Sequence, residues 1–352
     1  MHLAMQLIDV LPQHRFDEAS LWRHLAAQLP EFTEPATLRQ FQGGQSNPTF
    51  LIETPADRFV LRKKPAGKLL PSAHLVEREY RVMKALGASA VPVPHMRLLC
   101  TDASVIGTAF FLMDYVEGRV LTNVSLPGLS AADRQRIYND MARVLAAIHT
   151  IDWRTCGLAD FGKPEAYLAR QLDRWTKQYL ASKTDDDEAM AHLIAWLQTR
   201  LPEDDETALV HGDYRLGNLI LHPTEPRIVA VVDWELATLG APLCDLAYNC
   251  MSYRIPPGFA LSGLAGTDLA ALGIPTEDEF VAAYCRHAQR ALPDHWPFYL
   301  AFSFFRSAAI TQGVYARALQ GNAADQRGIE HGRVAKLAAK MGWSIAQSDG
   351  AG

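Results

Sequence analysis

Apolar positions fall at two spacings along this chain, and the change from one to the other divides it. Near the start, Leu21, Leu25, Ala26 and Leu29 recur at helical intervals and predict a short amphipathic packing helix over residues 17–29. Short strand-like runs at residues 37–41, 50–52 and 58–62 predict three strands. Leu75, Val76, Val82, Met83 and Leu86 mark one face of a helix that Ser72 would cap and Gly87 would stop. The stiff Val91-Pro-Val-Pro94 segment leads to two further strands, at about 95–99 and 109–115. The fold class expected is α+β, with a five-stranded antiparallel sheet and one helix ahead of a mostly helical remainder.

Past residue 118 the spacing becomes helical. Ser130 and Asp133 have the spacing of a capping box, and Ile137, Met141, Val144, Leu145 and Ile148 form a core stripe ending near His149. A second helix is expected at about 165–180, and the Asp185-Asp-Asp-Glu188 run suits the dipole at the start of a third. The boundaries expected are residues 1–116 for a sheet-bearing N-terminal part and residues 117–352 for a helical one, with the link between them at 113–118.

One residue breaks the apolar face of the 72–86 helix. Glu79 lies four residues after Leu75 and three before Val82, so it points inward with them. An unpaired buried carboxylate costs about 3–5 kcal/mol, so a cation is expected beside it. The candidates are Arg62 and Lys63 at the end of the third strand; alternation puts Val60 and Arg62 on one face, Phe59, Leu61 and Lys63 on the other.

The densest chemistry is in residues 209–235. His211, Asp213 and Asn218 have the H-x-D-x4-N spacing of a phosphoryl-transfer loop, and Asp233 follows one predicted hairpin later. Apolar runs at 219–221 and 228–232 flank the turn-rich His222-Pro-Thr-Glu-Pro226, which would return Asp233 beside Asn218. Asp213 could then accept a hydroxyl proton while Asn218 and Asp233 offer hard oxygens to Mg²⁺. Arg215, two residues after Asp213, could offset charge developing on the transferred group, and a surface arginine is the plain alternative. Asp245 is expected to brace the loop, and His211 to be structural. Gly43-Gly-Gln-Ser-Asn47 joins two predicted strands; it lacks the P-loop pattern, yet its backbone could approach phosphates.

These motifs resemble the aminoglycoside-phosphotransferase-like family, on His211-Gly-Asp-Tyr-Arg-Leu-Gly-Asn218 and Asp233-Trp-Glu235, over about residues 41–253. Within it, Gly43-Gly-Gln-Ser-Asn-Pro-Thr-Phe50 and Gly67-Lys-Leu-Leu-Pro-Ser-Ala-His74 look like one branch, the kinase-like domains fused to or encoded near acyl-CoA dehydrogenases. The resemblance implies a protein-kinase-like bilobal fold, ATP and Mg²⁺ as cofactors, and, for the branch, phosphorylation of hydroxyacyl-CoA thioesters. It implies nucleotide contacts from Gly43, Gly44, Ser46 and Asn47, from backbone near Asp114 and Val116, and from Arg62 paired with Glu79. An arginine there departs from the usual lysine. An aminoglycoside or other small-alcohol kinase, and a non-catalytic nucleotide or acyl-CoA binding module, are the competing readings.

Composition narrows the partners. With 352 residues, 49% hydrophobic and 21% charged, the chain is long enough for a large core. Its net charge of −5 gives no footprint for nucleic acid. Residues 241–320 hold six acids, Asp245, Asp268, Glu277, Asp278, Glu279 and Asp294, against five arginines, so the carboxylate excess suited to polycationic aminoglycosides is missing. Arg254, Arg306 and Arg317 could instead meet the phosphates of a CoA ester. Five cysteines without a C-x-x-C pair suggest reduced thiols and a cytoplasmic setting. No stretch is long and apolar enough to span a bilayer. The expected partners are a small-molecule hydroxyl acceptor, a CoA thioester among the candidates, and a second copy of the chain in a homodimer; nucleic acid and membrane are not expected.

Overall fold

Alternation early in the chain becomes a sheet in which one residue's register decides the chemistry. In the computed structural model, which describes residues 6–42, 47–65, 75–203, 206–258, 262–320 and 327–349, the strands are β1 (Leu7–Ile8), β2 (Thr37–Phe41), β3 (Thr49–Glu53), β4 (Arg58–Lys63), β5 (Met96–Cys100) and β6 (Phe110–Asp114). They pair antiparallel in the order β1-β2-β3-β4-β6-β5. Among the described residues the sheet therefore has six strands rather than the five expected. The extra one, β1, is two residues long, too short for alternation to reveal, and is tied to β2 by Arg39 Nη2 donating to Leu7 O at 2.9 Å.

Phe59 and Leu61 of β4 enter an apolar cluster with Leu21 and Leu25 of α1 (Glu18–Gln28), whose N-cap Asp17 accepts from Ser20 N. Lys63 follows them onto that face, buried, with its Nζ 5.6 Å from the Phe16 ring centre. Arg62 has the opposite face, toward α2 (Val76–Leu86). That helix packs Tyr80 against Phe111 of β6, with ring centres 6.4 Å apart, and ends at Gly87 as expected. Its expected cap, Ser72, lies outside the described residues. A short α3 (Ala103–Ile106) follows β5.

The chain divides into two units: residues 1–122, 154–158 and 216–237, and residues 123–153, 159–215 and 238–352. The first takes in a small second sheet built from β7 (Arg119–Val120) and from β9 (Leu219–Leu221) and β10 (Ile228–Val231), which follow β8 (Ala208–Val210) of the second unit. Gly118, just ahead of β7, has no room for a side chain: a Cβ there would meet Leu221 O at 2.3 Å.

The second unit is helical. It holds α4 (Ala131–His149), α5 (Tyr167–Ser182), α6 (Glu188–Thr199), α7 (Pro242–Cys250), α8 (Leu269–Leu272), α9 (Glu277–Ala288), α10 (Trp296–Leu319) and α11 (Arg327–Asp349), with β8 paired to β11 (Thr238–Gly240). Ser130 caps α4, its Oγ accepting from Asp133 N at 3.1 Å and donating to the Asp133 carboxylate at 2.8 Å. Asp187 caps α6. The α10 helix is buried along most of its length and packs against α5, α6, α7 and α11. Among the described residues no helix is long and apolar enough to cross a membrane.

Candidate functional site

In the first unit, the candidate residues gather around one guanidinium. Arg62 Nε donates to Glu79 Oε1 at 3.1 Å and lies 3.0 Å from Oε2, and its Nη2 donates to Asp233 Oδ1 at 2.8 Å. Glu235 Oε2 is 3.7 Å away. The choice left open by alternation is thus resolved: Arg62, not Lys63, meets the inward glutamate. Glu79 is 1% exposed, and burial pushes its carboxyl up to about 7, Arg62 pulling down while Asp233 and Glu235 push further up. Burial works against the Arg62 charge as well, but Glu79, Asp233 and Glu235 outweigh it, so that arginine is held above its ordinary value.

Asn47 is fully buried and donates from Nδ2 to Glu79 Oε1 at 2.9 Å, so it joins this network; its Oδ1 is buried without a hydrogen-bond partner. Gly43, Gly44 and Ser46 lie outside the described residues, as does the 67–74 motif. At the end of β6, the Asp114 carboxylate is gripped by Arg97 at 2.6 and 3.1 Å, and its N–H donates to His95 O. The Tyr115 N–H donates to Arg58 O. Val116 follows in the link between β6 and β7, outside any strand.

The β9 and β10 hairpin does what its turn residues suggest. Val232 N donates to Asn218 O at 3.0 Å, which brings the base of the hairpin together and sets Asp233 next to the Asn218 backbone. Asp233 takes a left-handed conformation, φ 67° and ψ 57°, unusual for a residue with a side chain. An amide and a carboxylate issuing from one hairpin base fit Mg²⁺, which takes hard oxygens and few protein ligands.

In the second unit, the catalytic-loop candidates are fixed by backbone. Asp245 at the start of α7 accepts from His211 N at 2.5 Å and Gly212 N at 2.8 Å, and His149 Nε2 lies 3.4 Å away. This is the brace expected of it. Burial would raise the Asp245 carboxyl, but the His149 hydrogen bond and charge, His211 and the Gly212 N–H together hold it below its ordinary value. Gly212 has φ 83°, which lets the loop turn at this point. His211 is fully buried, and its Nδ1 accepts from Asp213 N at 3.2 Å.

Within this unit Arg215 and Tyr248 both meet the Asp213 side chain. Arg215 Nε is 3.2 Å from each carboxylate oxygen, and Tyr248 Oη donates to Oδ1 at 2.6 Å. Arg306 donates to Gly212 O at 2.8 Å and lies against the rings of Tyr248 and Trp175, 5.8 and 5.9 Å from their centres. Arg254, offered as a CoA contact, forms a two-pronged bridge to Glu277 at 2.7 and 3.0 Å. Asp213 and Arg215 belong to the second unit, Asn218 and Asp233 to the first. Tyr248 and His149 were not singled out from sequence; the one available signal was that Tyr248 lies a helical turn after Asp245.

An antiparallel sheet whose β4 cation pairs with a helix glutamate, followed by a helical unit carrying an H-x-D loop, defines the protein-kinase-like phosphotransferase class. The chain belongs to the phosphotransferase enzyme family that includes the aminoglycoside kinases, whose model matches residues 37–302. Acyl-CoA dehydrogenase family member 10 of Mus musculus is 48% identical over 319 residues, 90% of this chain and 30% of that protein. The chain spans less than half the length of the curated acyl-CoA dehydrogenase relatives it matches. A Ralstonia eutropha protein, described provisionally as an aminoglycoside phosphotransferase, superposes with TM-score 0.88 at 48% identity, covering 95% of this chain and 99% of that one. An aminoglycoside phosphotransferase solved with ATP and streptomycin shares the fold at TM-score 0.58 and 17% identity, covering 93% and 98% of the two chains.

Proposed function

We propose that the protein transfers the γ-phosphoryl group of ATP, with Mg²⁺, to a hydroxyl of a small molecule, and that a hydroxyacyl-CoA is the acceptor. The observation that carries this reading is the Arg62 bridge between Glu79 and Asp233, since a cation held to both a helix carboxylate and a candidate metal ligand is what phosphate positioning needs. When bound, Mg²⁺ would offset charge on the phosphates, with Asn218 and Asp233 as its protein ligands. Arg62 would hold phosphate oxygens, its fork gripping in two places where lysine grips in one. Backbone groups near Asp114 and Val116 would hold the adenine, Gly43, Gly44 and Ser46 would cover the phosphates, and Asn47 would anchor that turn through Glu79. Asp213 orients the acceptor hydroxyl and takes its proton, and Arg215 offsets charge developing beside it.

For the acceptor, Arg215 and Arg306 set positive charge around the Asp213 loop, which suits an acceptor bearing anionic groups and repels a polycation. The full-length relatives carrying an acyl-CoA dehydrogenase name support a thioester in particular.

ADP release from MgATP, measured with hydroxyacyl-CoAs, aminoglycosides, choline and homoserine, tests both levels. Expected is release that depends on a hydroxyacyl-CoA, with one phosphoryl group gained by the thioester and a loss of about 10²–10⁴-fold in Asp213→Asn. Acceptor-independent traces unchanged in Asp213→Asn would leave a nucleotide-binding module instead. A rate with aminoglycosides alone would retain the kinase and discard the thioester.

A further inference from the structure

One helix reaches Asp213 in two ways. From α7, Asp245 holds the backbone just ahead of it through the His211 and Gly212 N–H groups, and Tyr248, three residues on and so on the same helix face, touches the side chain. Arg215 Nε is equidistant from the two carboxylate oxygens and does not tell them apart. The Tyr248 hydroxyl contacts Oδ1, at 2.6 Å, a length typical of a hydrogen bond to an ionised acceptor. Its ring is partly buried beside Arg306, and burial together with Asp213 keeps the phenol protonated, hence a donor, across the physiological range.

We propose that Tyr248 is a positioning residue for phosphoryl transfer, fixing the rotamer of the Asp213 carboxylate by holding Oδ1 so that the acceptor proton is met in one orientation. The proposal rests on the reading of Asp213 as the proton acceptor. A carboxylate free to rotate about its last bond spends part of its time misaligned, and misplacement of a reacting group by about an ångström costs on the order of 10²-fold. Among the groups facing the Asp213 carboxylate and its loop in this unit are Tyr248 and Arg306 from α7 and α10, and His211 and Arg215 from the loop itself; Tyr248 is uncharged and contacts the carboxylate. A hydroxyl there orients the base without pairing away its charge.

The test is Tyr248→Phe in the full chain, with ADP release measured using the fastest acceptor of the panel above, or water where none accelerates release, and rates taken per folded molecule from the melting transition. Expected is a fall in kcat of about 10- to 100-fold, with KM for MgATP within about twofold of the parent. Tyr248→Leu, which removes the ring as well, should lose little more. In an Asp213→Asn background, adding Tyr248→Phe should change the rate by less than about twofold, because the hydroxyl then has no carboxylate to orient. Losses that multiply, or a loss seen with Leu but not with Phe, overturn the proposal in favour of packing. A parental kcat in Tyr248→Phe beside a silenced Asp213→Asn overturns it alone, whereas a parental rate in Asp213→Asn overturns the phosphoryl-transfer reading beneath it.

Discussion

The two units hold their candidate residues by opposite means. In the first, Arg62 is fixed by charge: Glu79, Asp233 and Glu235 surround one guanidinium, and the longest of these contacts is 3.7 Å. In the second, Asp245 is fixed by two backbone N–H groups of the loop it braces. A charge network can rearrange when phosphates or a metal compete for its members, whereas a carboxylate satisfied by peptide groups has little reason to move. The difference assigns adaptability to the Arg62 network and rigidity to the loop that bears Asp213.

Replacing Arg62 with Met should have the largest effect on stability, since it leaves Glu79 buried without its cation, at about 3–5 kcal/mol. Urea unfolding reads this directly, and a cost under about 1 kcal/mol would mean that the charge network is ornamental. Asp245→Asn comes next, at about 2–3 kcal/mol near neutral pH, because an amide cannot accept from both N–H groups as a carboxylate does. Its pH dependence separates the two modes of fixing. Asp245 has a folded-state value below the ordinary 3.8, so its contribution is present above that pH and is lost as pH falls through the folded value. Midpoints followed from about pH 7 down to about pH 2 should fall less steeply in the Asn variant than in the parent. A parallel decline in both would show that the brace does not depend on ionisation.

Gly118→Ala probes the first unit through shape instead of charge, and should cost about 2 kcal/mol by driving a methyl into Leu221 O. Ser130→Ala, at the N-cap of α4 in the second unit, should cost about 1 kcal/mol in thermal or urea unfolding. An equal cost for these two would show that backbone crowding at 118 relaxes as easily as a frayed helix end.

Much of this was legible in the sequence wherever the signal was local. The α1, α2 and α4 helices, the β9 and β10 hairpin and the inward turn of Glu79 follow from spacing, and Asp245 as the brace of the loop was anticipated from its position alone. Alternation alone left Arg62 and Lys63 both open; the family likeness favoured Arg62, and the register of β4 against β3 and β6 supplies the physical reason. Asp233 lies 171 positions from Arg62, and Tyr248 lies 35 from Asp213, separations across which no periodic pattern carries information. The return of residues 216–237 to the first unit is of the same kind. β1 was invisible because two residues are too few to alternate.

The left-handed backbone at Asp233 limits what evolution can do there before any question of metal arises. For most side chains that twist costs about 1–2 kcal/mol, and glycine, asparagine and aspartate itself are the exceptions. Swapping in glutamate would lengthen the acid and strain the chain together, so drift at this site should run through Asn or Gly, each of which removes the carboxylate's charge.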